Sequence, residues 1–199
     1  ALGGEYLTLK RGRPTGCNPL ALPRSAANDA FVRDWLTRLV ASEQPLTARA
    51  QAELLAALEG TWALSPGARR LSRVLEFLDP TEADGPAARL KRWCGEAGGD
   101  LAWAFDQGED RVAPLLVGRA LLGIDVTEFL NDATVRGPLT QYLFHVLAQL
   151  LDGRRLVVWM DEFSRLLADP AFEGLARDGL KTWRKLNAVA VFATQSPSD

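Results

Sequence analysis

Three short apolar runs, separated by stretches with helical spacing, constrain the fold of this chain more than any other feature. They lie within "RALLGIDVTEFL" (119–130), "LVVWM" (156–160) and "AVAVFAT" (188–194). The first run is typical of a strand that is covered on both faces in a parallel sheet, and the other two predict further buried strands. Between the first two runs, Thr134 to Leu151 places apolar residues on one helical face. This alternation predicts a parallel α/β sheet.

The region from 28 to 95 has a different pattern, since only helical spacing occurs there. We expect a first helix from Asn28 or Asp29 and a second capped by Thr47. A third should begin at Ser65, which is followed by proline. The region therefore predicts a small all-helical subdomain.

These patterns divide the chain into three parts. A short strand candidate, "EYLTL" (5–9), precedes a loop rich in glycine and proline, so residues 1–27 are predicted to start the α/β core. Residues 28–100 form the helical subdomain, and residues 101–199 return to the core. The chain starts without methionine, which suggests a piece of a longer protein.

Composition and charge indicate a globular domain and do not by themselves predict a nucleic-acid partner. With 199 residues, 47% hydrophobic and 24% charged, the chain is typical of a globular domain. A net charge of −2 offers no basic surface for a nucleic-acid duplex. No apolar run is long enough to span a membrane. The two cysteines, Cys17 and Cys94, lie far apart and favour free thiols in a reducing compartment.

The lone histidine and the tryptophans have structural interpretations. His145 falls on the polar side of its predicted helix. Three of the six tryptophans, Trp35, Trp62 and Trp93, lie in the helical region and are expected in the core rather than in a base-stacking surface.

The strongest functional signal is a pair of acids after the second apolar run. Asp161 and Glu162 follow it directly, and Gln195 follows the third run. Ligands of open parallel sheets bind beyond the carboxyl ends of the strands. In P-loop nucleotide hydrolases, an Asp there holds Mg²⁺ through water and the next Glu can polarise the attacking water. The alternative is that Asp161 simply caps the next helix.

A group of cations precedes the third run. Four basic residues fall at helical spacing on one face: Arg177, Lys181, Arg184 and Lys185. A solvated face is the ordinary interpretation of such a group. The alternative is a cation offered to phosphate charge, for example on a neighbouring subunit, as an arginine finger.

The phosphate-binding half of a P-loop enzyme is missing from the chain. The motif GxxxxGK[ST] requires a Lys before Ser or Thr, and only Lys181 meets that condition. Leu175 and Leu180 occupy the glycine positions of that motif. We therefore expect the chain alone to bind nucleotide weakly or not at all.

Taken together, three segments resemble the large ATPases of type IV secretion and conjugal-transfer systems, of the TrbE/CagE type in the FtsK–HerA group of RecA-like motors. These segments are "GGEYLTLKRGRPTGCNPLALP", "IDVTEFLND" and the stretch from "LFHVLAQLL" to "FATQSPSD". The resemblance implies a partial RecA-like P-loop core with an inserted helical subdomain, truncated after the Walker A loop. It also implies ATP and Mg²⁺ as cofactors.

The resemblance also implies roles for the site residues. Asp161 would be the Walker B aspartate that binds magnesium, Glu162 the catalytic glutamate and Gln195 the glutamine of the last motif. Arg184 would be the first candidate for the arginine finger and Lys185 the second. Asp161, Glu162 and Gln195 would together bind the nucleotide.

The implied partners are further copies of the chain, for example in a hexamer, and other secretion components at the cytoplasmic face of the bacterial inner membrane. The activity would power pilus assembly and the transfer of protein or DNA. Two alternatives stay open: a non-enzymatic assembly module that docks through its helical part, and an FtsK-like DNA translocase.

Because a missing central strand exposes sheet edges, the isolated chain is also expected to associate.

Overall fold

The computed structural model of the chain describes residues 3–41, 45–162 and 183–193. The strands among them are β1 (Glu5–Thr8), β2 (Leu122–Asp125), β3 (Leu156–Met160) and β4 (Ala188–Phe192). The helices are α1 (Ala26–Val40), α2 (Ala48–Trp62), α3 (Leu71–Glu76), α4 (Pro86–Leu90), α5 (Ala102–Phe105), α6 (Val112–Gly118) and α7 (Ala133–Gln149). The chain forms two compact units, Ala1–Asp125 and Val126–Asp199. The predicted boundaries near 27 and 100 stay a prediction.

The mixed α/β class and the parallel pairing predicted from the sequence are confirmed, but the strands form two small sheets. In the first unit β1 pairs with β2 in parallel, with Glu5 opposite Leu122 and Thr8 opposite Asp125. In the second, β3 pairs with β4 in parallel. Sequence patterns could not reveal these partners, because the apolar runs are too similar to specify which strand pairs with which.

Helices α1 to α5 supply the core of the first unit, as the helical spacing predicted. The tryptophans predicted to be buried, Trp35, Trp62 and Trp93, are all in this core. Phe105 of α5 meets Trp35 edge-on, with 5.1 Å between ring centroids, and lies 5.8 Å from Trp93. Aromatic pairs at such separations add to the stabilisation from buried area.

The predicted start of α1 is wrong by two residues. The helix begins at Ala26, and the hydroxyl of Ser25 caps it by accepting a hydrogen bond from the backbone N–H of Asn28. The side chain of Asn28 instead donates to the carbonyl of Pro23 at 2.7 Å. Serine and asparagine are comparable caps, so local sequence alone does not decide between them. The predicted cap at Thr47 is confirmed, since its hydroxyl accepts from Ala50.

The predicted third helix is interrupted. Ser65 and the proline after it start only a 3₁₀ turn, and Ser65 makes no side-chain cap. The α-helix begins later, at Leu71, where the carboxylate of Asp106 accepts a hydrogen bond from the Ser72 backbone N–H at 2.8 Å. An acid 34 residues away in sequence therefore caps α3, which propensity cannot predict.

The second unit packs one face of its strand pair against α7. Its small core contains Met160, Trp183 and Ala188, with partly buried Phe144 and Leu147 of α7 against them. The opposite face is open, since Val157, Trp159 and Val189 keep 69%, 70% and 57% of their surface exposed. The prediction that β3 and β4 are buried strands is therefore wrong for these three residues.

None of the helices in the described ranges combines the length and the apolar character needed to cross a membrane.

Candidate functional site

The two acids lie where the sequence predicted them, directly after β3. Asp161 is exposed and Glu162 is half-exposed. The backbone N–H of Glu162 donates to Oδ1 of Asp161 at 2.9 Å. Glu162 itself has a left-handed backbone, with φ 52°. This conformation is uncommon for a residue with a side chain and tends to occur at functional sites.

The end of β4 lies beside the end of β3. The backbone N–H of Ala193 donates to the carbonyl of Met160 at 2.9 Å, so the chain leaves both strands at the same edge. Gln195 comes two residues after Ala193 but lies outside the described residues. Its predicted role beside the acids stays a prediction.

Arg184 and Lys185 lie at the opposite end of the same strand pair. Both are exposed on a 3₁₀ turn, Arg184–Leu186, that precedes β4. The first residue of β4, Ala188, is opposite the first residue of β3, Leu156. The five residues of β3 therefore separate this turn from the acids by about 13 Å at the usual rise per residue.

Among the described residues, the structure therefore does not bring Asp161 and Glu162 together with Arg184 and Lys185 of the same chain. A cation before β4 cannot approach a ligand held beyond the ends of β3 and β4 in that chain. The separation follows from the parallel register of β3 and β4, because residues before and after parallel strands lie at opposite edges of the sheet. The other two predicted cations, Arg177 and Lys181, lie outside the described residues.

Two residues that the sequence analysis missed hold the Arg184–Lys185 pair. Trp183, which is 6% exposed, anchors one side of the pair in the core of the second unit. On the other side Asn187 has φ 58° and its side-chain amide donates to the carbonyl of Gly153 at 2.8 Å. An Asn between a helical pattern and an apolar run was the available signal, because Asn tolerates left-handed backbone.

The two acids suit a magnesium ion that keeps most of its waters better than a metal ion bound by protein ligands alone. Among the described residues no group of three or more His, Cys, Asp or Glu could hold a metal ion. Magnesium, however, keeps several waters and binds through one or two carboxylates plus substrate phosphates. Asp161 is exposed and one of its oxygens already accepts the Glu162 N–H. Its second oxygen would therefore be the one to bind a water of the magnesium ion, which is the indirect contact that the sequence predicts.

Three groups away from the acids, His145, Cys17 and Cys94, have shifted pKa values with a structural cause. Burial lowers the pKa of His145 to about 4, so its ring is neutral at pH 7. It lies 2.9 Å from the side-chain nitrogen of Gln149 on the same helix. Burial also raises the pKa of both Cys17 and Cys94 to about 12. Such thiols stay protonated and are poor nucleophiles.

The geometry defines a class first: a mixed α/β protein with parallel strands and adjacent carboxylates after the end of one strand. Comparison with known proteins then gives a specific relationship. The chain is 40% identical to the type IV secretion system protein VirB4 of Bartonella henselae over 199 residues, which is 99% of the chain and 25% of that protein. It is 38% identical to the type IV secretion system protein PtlC of Bordetella pertussis, over 100% of the chain and 25% of that protein.

A third relative, protein VirB4 of Rhizobium radiobacter, is 36% identical over 99% of the chain and 25% of its own length. No family model matches the chain. The resemblance stated from the sequence is nevertheless confirmed: over its whole length, the chain is a homologue of a segment of the VirB4 and PtlC type IV secretion proteins. It spans about a quarter of the length of these relatives.

Proposed function

We propose that this chain is part of the ATPase domain of a type IV secretion protein and carries the half of the active site that activates water. The observation that supports this most is the coincidence of two findings. The whole chain is similar to VirB4 and PtlC, and its adjacent acids follow the carboxyl end of a parallel strand. That edge is where nucleotides bind in α/β folds.

Each acid has a distinct role in this proposal. Asp161 holds magnesium through water with the carboxylate oxygen that does not accept the Glu162 N–H. When bound, the ion offsets negative charge on the phosphates of ATP. Glu162 accepts the proton of the attacking water, since a carboxylate is a suitable general base for this step. Gln195 orients that water or contacts the γ-phosphate.

The cations serve a different copy of the chain. Because Arg184 and Lys185 lie at the far edge of β3 and β4, they act on ATP bound to a neighbouring subunit. There a cation stabilises charge that develops during phosphoryl transfer. The proposed assembly is therefore a ring of identical subunits, such as a hexamer, in which each interface completes one site.

The proposed setting follows from the relatives' names. These relatives are named as type IV secretion system proteins, and we infer that this protein works with other such components. We place it peripherally at the cytoplasmic face of the inner membrane. There, ATP hydrolysis would power pilus assembly and the transfer of protein or DNA. The RecA-like core and the upstream phosphate-binding loop belong to the same proposal.

The test compares this chain with a form extended upstream to the length of its relatives. Calorimetry with ATP and Mg²⁺ should detect binding only for the extended form, because the chain has no GxxxxGK[ST] loop. In the extended form, Glu162→Gln should lower the ATPase rate by about 10²–10⁴ and leave ATP binding intact. A wild-type rate in this variant contradicts the proposed role of Glu162. Tight ATP binding by the chain alone contradicts the divided site.

A further inference from the structure

Asn187 connects the first residues of the two strands of the second unit, β3 and β4. Its backbone carbonyl accepts a hydrogen bond from the N–H of Leu156, the first residue of β3, at 3.2 Å. Its side-chain amide donates to the carbonyl of Gly153, in the loop before β3, at 2.8 Å. Ala188, the next residue, begins β4. One residue thus binds the start of the neighbouring strand and the loop that leads into it.

The backbone of Asn187 adds a second constraint. With φ 58° it has a left-handed conformation at the end of the 3₁₀ turn, directly before β4. Asparagine tolerates this region better than other residues with a side chain. A glycine could adopt the same backbone, but it would lose the bond to Gly153. The backbone of Asn187 therefore permits the left-handed conformation, and its side chain fixes this position to Gly153.

The 3₁₀ turn that Asn187 ends, Arg184–Leu186, contains the two exposed cations. Arg184 and Lys185 lie between Trp183, which is buried, and Asn187, which is bonded to Gly153. Among the described residues, neither cation has an ion-pair partner that would restrict its side chain. Within the described part of the chain, the contacts that fix this turn are therefore those of the residues at its two ends, Trp183 and Asn187.

We propose that Asn187 is a positioning residue for the Arg184–Lys185 pair, and that its bond to Gly153 holds this pair in the direction needed to reach phosphate charge on a neighbouring copy. This inference rests on the proposed function. Asn187 touches neither nucleotide nor magnesium in this account. Its effect passes through the turn, because misplacing a catalytic group by about 1 Å can cost on the order of a hundredfold in rate.

The experiment measures kcat and KM for ATP in the full-length protein. Asn187→Gly removes the bond to Gly153 and keeps the left-handed backbone accessible. We expect kcat to fall roughly ten- to a hundredfold, with KM for ATP unchanged because the nucleotide is bound at the other edge of the sheet. Asn131→Ala, at an exposed asparagine of the same unit, is the matched control and should keep wild-type kinetics.

A double-mutant cycle separates positioning from a general structural role. If Asn187 acts through the cations, Asn187→Gly should lower kcat little or not at all when Arg184 and Lys185 are already alanine. An effect of equal size in both backgrounds overturns the inference. If Asn187→Gly lowers the melting temperature below the assay temperature, Asn187→Asp takes its place, since Asp also tolerates this backbone but cannot donate to Gly153.

The same data distinguish failure of this inference from failure of the proposed function. If replacing Arg184 and Lys185 by alanine leaves kcat at the wild-type value, the proposed function of the pair fails and the inference fails with it. If that replacement lowers kcat but Asn187→Gly does not, only the positioning role of Asn187 is overturned.

Discussion

At the scale of single residues, the two ends of β3 and β4 share an unusual feature. Among the residues that the structure describes, Glu162 and Asn187 are the non-glycine residues with left-handed backbone, and they lie at opposite ends of this strand pair. Such conformations cost of order 1–3 kcal/mol and persist where the surroundings hold them. A hydrogen bond to Asp161 holds Glu162, and one to Gly153 holds Asn187. Glu162 adjoins Asp161, and Asn187 ends the turn that contains Arg184 and Lys185, so each conformation occurs beside candidate site residues.

His145 allows a prediction about pH at the same scale. Because burial lowers its pKa to about 4 from the usual 6.5, the unfolded state binds more protons between these values. The stabilisation by neutral His145 is therefore complete above about pH 6.5 and is lost as the pH falls towards 4. We expect the free energy of unfolding to fall by about 1 kcal/mol between pH 7 and pH 5 from this group, after allowance for its partial exposure.

The measurement is urea unfolding at both pH values for the wild type and for His145→Gln. The variant should lose about 1 kcal/mol less than the wild type, because glutamine does not titrate. Carboxylates with lowered pKa values, such as Asp29 and Asp152, titrate in both proteins and cancel in the comparison. An equal loss in the two proteins would show that His145 has the same pKa folded and unfolded.

At the scale of elements, the spacing of apolar residues located helices and strands well where the pattern is local. Strand β3 matches its predicted run residue for residue, and α7 begins one residue before its predicted start. Other features depend on distant groups. Asp106 caps α3 from 34 residues away, and the pairing of β1 with β2 joins segments more than a hundred residues apart. Single-sequence patterns contain no information on such contacts.

The open face of β3 and β4 makes a prediction at this scale. Val157 and Trp159 project from it and are largely exposed. Exposed apolar strand faces and strand edges promote association. Replacing both residues by threonine keeps strand propensity and removes apolar surface. The double variant should therefore sediment at a lower average mass than the parent chain at equal concentration, with stability changed by less than about 0.5 kcal/mol.

Val158 provides the matched control because it lies in the same strand and packs against the core of the second unit. Val158→Thr should destabilise the chain by about 1–2 kcal/mol and leave association undiminished, since it places a hydroxyl in a packed site. If the parent chain is a monomer at every concentration, or the double variant associates as strongly as the parent, the exposed face does not drive association.

At the scale of the whole molecule, the candidate site was only partly predictable. The acids were located from the end of an apolar run, because a strand end is a local feature. That they lie apart from Arg184 and Lys185 follows from the parallel register of β3 and β4, which spacing along a predicted helix does not reveal. A single chain thus presents acids at one edge and cations at the other, which suits a head-to-tail assembly in which each interface joins unlike surfaces.

Mixing two inactive variants of the full-length protein tests this arrangement. One variant carries Glu162→Gln and keeps its cations, and the other carries Arg184→Ala with Lys185→Ala and keeps its acids. If the cations act on a neighbour, an interface that pairs intact acids with intact cations is active. Random mixing in equal amounts should then restore roughly a quarter of the wild-type ATPase rate, because each interface needs two independent matches.

Each variant assayed by itself is a control, and its ATPase rate should stay near background. Glu162→Gln mixed with a subunit that lacks both the acid and the cations should also stay inactive, because no interface then has an intact acid. If acids and cations instead had to come from one chain, neither variant could contribute a working site and mixing would restore nothing. Recovery above background therefore separates action on a neighbour from action within one subunit.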